Sequence, residues 1–482
     1  MTGELLFKNY QTYPGTWDEM SVDHSIRSQY AQVFNDIAQL PVDILEQKEK
    51  LASELFMNQG ITFTVYSDNA GIERIFPFDI IPRILTGKEW DHIQQGITQR
   101  LRALNLFLKD IYSDQQIIKD GIIPADLIAS CPHYTREVYG VKVPHDLYIH
   151  ISGIDLIRGQ DGTFYILEDN LRTPSGVSYM LENREVTKRL FPNMMVNSKV
   201  RMINNYPLIL DEILESLAPQ QISNPTVALL TPGVYNSAYF EHTFLARQAG
   251  ISLVEGRDLV VDNHKVYMKT TAGLQQVHVI YRRIDDDFLD PLVFRPDSAL
   301  GVPGLMSAYR KGNVAIVNAV GNGVADDKAV YAYVPQMIKY YLNEDAILPN
   351  VPTYGLENME ARQYVFDNIE NMVIKRTNQS GGYGMVMGNK ASEIELTEIK
   401  NAINETPREF IAQPIIKLST VPCLIDGKLQ PRHVDLRPYA LCGPNGIKIV
   451  PGGLTRVALK EGSLVVNSSQ GGGSKDTWVV DL

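Results

Sequence analysis

The stretch GIDLIRGQDGTFYILEDNLRTPSG (153–176) constrains this chain more than any other. Two apolar runs, LYIHISGIDLIRG and TFYILEDN, flank Asp161 and Gly162, and Asp-Gly is a favoured pair for a tight hairpin turn. With a two-residue turn centred there, Gln160 faces Thr163, Ile157 faces Ile166 and Asp155 faces Glu168. Alternation then puts Asn170 on the face of Glu168. Directly opposed residues have Cβ atoms roughly 4.5–5.5 Å apart. Two carboxylates that close repel unless a proton or a cation lies between them. Asp, Glu and an amide carbonyl are hard oxygen ligands, suited to Mg²⁺ bridging to phosphates. Asp155, Glu168 and Asn170 are therefore candidate metal ligands. The alternative is a surface hairpin with solvated acids. Apolar residues on both strand faces favour a covered sheet; a β-bulge would shift the register and spoil the pairing.

At 482 residues the chain exceeds what one hydrophobic core serves, and roughly two to four domains or subdomains are expected. Residues 1–60 read as helical and polar, broken at Pro41. Extended segments follow at 60–66 and 74–85, then one long amphipathic helix and part of another over 88–121. PQQISNP (219–225) reads as a linker. From Thr226, VALLTPG, YFEHTFLARQAG and ISLVEG form a βαβ pattern. It lacks GxGxxG, so the unit is Rossmann-like with no nicotinamide cofactor implied. From about Val314 the pattern is mixed α and β.

The net charge of −11 weighs against non-specific nucleic-acid binding, which needs basic surface, and leaves ATP open. Cys131, Cys423 and Cys442 make no disulfide framework and no paired metal spacing, which suits free thiols in a reducing compartment. No signal-peptide pattern opens the chain and no apolar run approaches ~18 residues, so the cytoplasm is expected, with no membrane partner.

VIKRTNQSGGYGMVMG offers Lys375 at a strand end, then Ser380, Gly381, Gly382 and Gly384. Glycines let backbone N–H groups approach phosphate oxygens, and Lys375 supplies a point charge. GxxxxGK[ST] is absent, so this is no Walker loop, and a glycine-rich hairpin without a ligand is the alternative. FIAQPII (410–416), with Gln413 inside it, is either a strand whose backbone pairs with adenine or an ordinary buried strand. Arg432, Arg437 and Arg456 lie in apolar strands, where a guanidinium faces an anion or a carboxylate such as Asp435. NSSQGGGSKDT (467–477) is a flexible tail or a loop bringing Asn467, Ser468 and Lys475 to the site.

Together these pieces resemble the ATP-grasp superfamily. An Asp, a Glu thirteen residues on and an Asn two further, before a Pro-Gly turn, hold magnesium in ligases such as D-alanine–D-alanine ligase; Asp155, Glu168 and Asn170 fall at those spacings. MVIKRTNQSGGYGM is similar to the family's lysine and phosphate-covering loop, and Lys328 in GNGVADDK resembles its first ATP-contacting lysine. The order is permuted: the metal segment precedes the glycine-rich loop, with the Rossmann-like unit between them. EDNLRTPSGVSYMLENR, HVDLRPYAL and GGLTRVAL look like the circularly permuted ATP-grasp family, related in fold to glutathionylspermidine synthetase, over roughly residues 60–482.

The resemblance implies an α/β (α+β) ATP-grasp fold in four parts. They are a helical N-terminal region (1–60), a segment carrying the metal site (61–218), a Rossmann-like pre-ATP-grasp unit (219–313) and a segment with the phosphate loop and adenine strand (314–482). It implies a ligase using ATP and Mg²⁺ to join a carboxylate to an amine through an acyl phosphate, with small-molecule or peptide substrates. Many such ligases place an Arg two residues before the first metal Asp, a position held here by Gly153. Arg437, Arg456 or Arg172 is then the candidate for the acyl phosphate, and Asp435 competes with Asp155 for the metal. A phosphotransferase and a nucleotide-binding scaffold are the rival readings.

Overall fold

A computed structural model of the chain describes residues 3–482 apart from 24, 68–69, 220–221, 379–383 and 467–471, and only the backbone of 3 and 63–74. Its centre is a nine-stranded mixed sheet. Seven strands run in the order Gly446–Ile449, Tyr439–Gly443, Ile151–Arg158, Lys428–Arg437, Leu454–Val457, Gly473–Val480, Phe78–Thr86. Phe164–Asn170 pairs with Ile151–Arg158, and Thr420–Ile425 with Lys428–Arg437. Every pairing is antiparallel except that of Gly473–Val480 with Phe78–Thr86. All eight residues of Ile151–Arg158 are buried, as expected for a strand covered on both faces.

The helix Gly87–Ile111 runs 25 residues and buries Trp90, Ile97, Leu104 and Leu108 in the largest core cluster. It starts where a capping box forms: Thr86 accepts from the Glu89 backbone while Glu89 reaches back to Thr86. A four-stranded parallel sheet follows in the order Ala315–Val317, Val279–Arg282, Val227–Leu230, Ser252–Val254. The helix Tyr239–Ala249 makes its first crossover and stops at Gly250 with φ +71°. A third, antiparallel sheet carries Tyr354–Gly355, Phe410–Pro414, Met372–Arg376 and Val386–Met387. Among the described residues, no helix is long and apolar enough to cross a membrane.

The first sixty residues are helical at Gly3–Lys8, Ala31–Ala38 and Val42–Asn58, with a short hairpin between. They are woven into the central sheet. Asp18 bridges Thr420, and Glu19, fully buried, takes Arg83 and Arg158 as ion-pair partners. The run RHVDLRPYALCG (432–443) is split at Pro438 between two strands, because proline donates no ladder hydrogen bond. The break passes the chain from one neighbour to the next: Asp435 pairs with Arg456, and Tyr439 pairs with Gly153.

Candidate functional site

The hairpin reaches the expected pairing by a different route. Gly159 donates to the Thr163 carbonyl, so the loop is three residues, with Gly162 at φ +81°. Leu156 therefore faces Ile166 and Ile157 faces Tyr165, one step from the expected register. A bulge between Leu156 and Asp155 restores the count, and Asp155 faces Glu168. The bulge that was expected to spoil the pairing is what makes it. Asn170 faces Gly153 and donates to Glu168 at 3.5 Å. Asp169 points to the other face and is gripped there by Arg100.

Asp155, Glu168, Lys328, Lys375, Gln413 and Arg456 line one cleft enclosing about 990 Å³ of free space, part of it open to solvent. Its remaining wall is largely apolar, including Ile157, Val351, Met387, Ile416 and Leu464. Lys375 comes from the third sheet and donates to Gln413 Oε1 at 2.7 Å. Burial pulls its ammonium down from the usual lysine range, against the pull of Glu168. Lys328 approaches Glu168 at 4.0 Å. Phe410–Pro414 is paired on both sides, so its backbone is already engaged; Pro414, Ile415 and Ile416 beyond it meet the cleft. Ser380, Gly381, Gly382, Asn467 and Ser468 lie outside the described residues; Gly384 is exposed with φ +67°. Lys475 does not reach this cleft. It is buried against Asp79, Pro422 and Cys423 in the central sheet.

Two guanidiniums hold Asp155. Arg437 bonds both its oxygens, the second at 2.8 Å, and Arg456 adds a bond at 2.6 Å while gripping Asp435. Burial alone would raise the Asp155 carboxyl, but Arg437 and Arg456 hold it well below the usual carboxylate range. Asp435 is pushed up, since burial outweighs the help of Arg456. Arg437 lies across Gly153, where a Cβ would come 3.1 Å from its Cδ and 3.3 Å from Pro174. Its Nη1 also donates to the Ser175 carbonyl, which fixes the guanidinium at the Pro-Ser-Gly turn. Arg432 is structural, bonding the Leu459 and Pro431 carbonyls.

A hard divalent ion fits the side-chain oxygens of Glu168 and Asn170. Both oxygens of Asp155 are taken by guanidinium N–H groups, so Asp155 joins an ion only by giving up part of them. Among the described residues, no group of three or more His, Cys, Asp or Glu is arranged to hold a metal.

Asn170 also lines a second, small recess that shares Glu168 and Lys328 with the first; its roughly 300 Å³ of free space includes open solvent, and the enclosed part has room for about one water. Arg172 lines it, paired with Asp326 at 2.8 Å and Asp285 at 3.4 Å, so its charge is neutralised within the fold. The sequence reading missed the segment that shapes this region. Asn318 bonds the backbone of His150, Ile151, Leu171 and Arg172; Asn322 bonds Leu171; Asp326 accepts from the Leu171 amide. Three polar residues in NAVGNGVADD were the available signal, but their partners lie about 150 positions away. Glu241 and Arg283 secure the turn after Asn170 in the same way, through Gly176, Ser178 and Pro174.

A family model described as circularly permuted ATP-grasp type 2 matches residues 82–458. An uncharacterized protein of Synechocystis sp. is 54% identical over 94% of this chain and 94% of its own. One from Mycobacterium tuberculosis is 50% identical over 99% of this chain and 87% of its own. A putative glutamate–cysteine ligase of Frankia casuarinae is 40% identical over 98% of this chain, which spans 54% of that relative. Among solved structures, a glutathione synthetase-like effector from Globodera pallida aligns with TM-score 0.58 at 12% identity, covering 92% of this chain and 98% of that one.

Proposed function

The chain belongs to the circularly permuted ATP-grasp family, type 2, and on that premise we propose that it is an ADP-forming ligase joining a carboxylate to an amine through an acyl phosphate. The observation that carries this reading is the cleft where Glu168, Lys328, Lys375 and Arg456 converge between the central and third sheets. Its apolar wall suits adenine, and its charged end suits phosphates. The Frankia relative, a putative glutamate–cysteine ligase of which this chain spans about half, favours amino-acid substrates. Three free, buried cysteines suit work in the cytoplasm.

Lys375 and Lys328 orient the phosphates, and Glu168 with Asn170 would hold the divalent ion, which when bound offsets charge on the transferred phosphoryl group. Arg456 lines the cleft and would supply positive charge to the γ-phosphate. Arg437 stands on the other side of Asp155, at the Ser175 turn, and offers its remaining N–H groups to the substrate carboxylate. Asp155 keeps both guanidiniums in place. The protein contributes position and charge, and no serine or cysteine nucleophile is required; the Cys131, Cys423 and Cys442 thiols are each pushed up to about 12 by burial.

Calorimetric titration with Mg²⁺ and a non-hydrolysable ATP analogue tests the assignment. Wild type binds, and Glu168→Gln loses at least about tenfold in the metal-dependent part of the affinity while unfolding at a similar temperature. Equal binding by both proteins contradicts the metal assignment.

A further inference from the structure

Lys475 takes no part in the cleft, and its surroundings are unusual for a lysine. The strands Gly473–Val480 and Phe78–Thr86 pair in parallel, and Lys475 is registered directly against Asp79. Lys475 is 0% exposed and Asp79 7%. The lysine Nζ donates to Asp79 Oδ1 and, at 2.9 Å, to the Pro422 carbonyl. Backbone amides fix the Asp79 carboxyl independently: Oδ1 accepts from Ile81 at 3.0 Å and Oδ2 from Leu424 at 2.7 Å. Amine and carboxyl are thus held together in a buried place, with a backbone N–H group on each oxygen.

A third group completes the set. Glu49 lies on the helix Val42–Asn58, which packs on the Asp79 strand through Phe56 and Phe78, with ring centroids 5.3 Å apart. Burial first, then Asp79 and Glu46, push the Glu49 carboxyl up to about 7, against the pull of Lys475. An acid at that value both gives and takes a proton at neutral pH. An ion pair between Lys475 and Asp79 leaves two charges in the interior, at a desolvation cost that an amide between them removes.

We propose that Lys475 and Asp79 condense into an intramolecular amide cross-link, with Glu49 carrying the proton, an inference independent of the ligase reading. One ammonium proton passes through Glu49 to the Asp79 carboxylate. The lone pair freed on Nζ forms the C–N bond to Cγ, while the Ile81 and Leu424 amides hold the two oxygens of the tetrahedral carbon. A second nitrogen proton reaches one of those oxygens, the C–O bond breaks, and water leaves with the bonding electrons. The bond joins two strands whose linked residues are 396 positions apart, and it needs no cofactor or oxidant.

Peptide mapping of the purified full chain by mass spectrometry reads the bond directly. Trypsin does not cut after an acylated lysine, so denatured wild type should release residues 75–83 joined to 461–482. The joined pair should lie one water, about 18 Da, below the sum of its two peptides. Glu49→Gln should release residues 75–83, 461–475 and 476–482 separately, and Lys475→Met should lack the joined pair. Wild type that yields 75–83 and 461–475 as free peptides overturns the proposal, and so does a water loss confined to single peptides. A joined pair that persists in Glu49→Gln overturns the role of Glu49.

Discussion

His150 shows what a single buried side chain does to the pH range of the whole molecule. It lies fully buried at the start of the Asp155 strand, with neither ring nitrogen hydrogen-bonded among the described residues. Burial, then nearby His145, bring it down to about 3 from the usual 6.5; burial and Arg283 bring His242 to about 2. A depressed histidine is neutral in the fold and protonates first in the unfolded chain, so stability falls as pH drops below 6.5. Each contributes roughly 1.4 kcal/mol per pH unit in that window. His150→Leu should therefore be less acid-sensitive: between pH 6 and 5, urea unfolding should show wild type losing about 1.4 kcal/mol more than the variant. Equal losses contradict the assignment. At this scale the candidate site was only half legible. Glu168, Lys375 and Arg456 stood out because a charged residue in an apolar strand demands a partner. Asp155 read equally well as a metal ligand, since nothing in its local sequence announces that Arg437 and Arg456 arrive from strands some 300 positions away. Lys475 misled for the same reason, its partner Asp79 being distant in the chain.

Among elements, the least expected is the N-terminal segment. Its helices were legible from their spacing, but the link between them was not. Glu19 sits fully buried under the central sheet between Arg83 and Arg158, and Arg83 also donates to the Asp435 carbonyl beneath the cleft. Trp17 is flanked by Arg27 at 3.9 Å and Arg158 at 4.5 Å. Removing one partner of such a buried network leaves a charge uncompensated. Glu19→Gln should cost about 3–5 kcal/mol by urea unfolding; a loss under about 1 kcal/mol would be typical of an exposed pair and would contradict this placement. The hairpin of Asp155 and Glu168 teaches the converse. A three-residue loop and a bulge are each invisible in an alternating pattern, and the two offsets cancel at Asp155 and Glu168. The pairing was predicted correctly although Ile157 and Ile166 were not partners.

At the scale of the molecule, chain order carries the argument. The hairpin of Asp155 and Glu168 precedes the parallel sheet, and the Lys375 strand follows it, yet both close on one cleft. Residue types and spacings were enough to recognise this permuted order, since each segment keeps its own local chemistry. The fastening between segments, Asn318, Asn322, Asp326, Glu241 and Arg283, stayed hidden because it consists of long-range bonds to backbone. The central claim is chemical: a carboxylate oxygen is transferred to phosphate. Amino acids labelled with ¹⁸O in their carboxylates, incubated with Mg-ATP and hydroxylamine, report on it through ³¹P NMR of the products. ADP with inorganic phosphate carrying ¹⁸O is predicted. Unlabelled phosphate, or AMP with pyrophosphate, would contradict it.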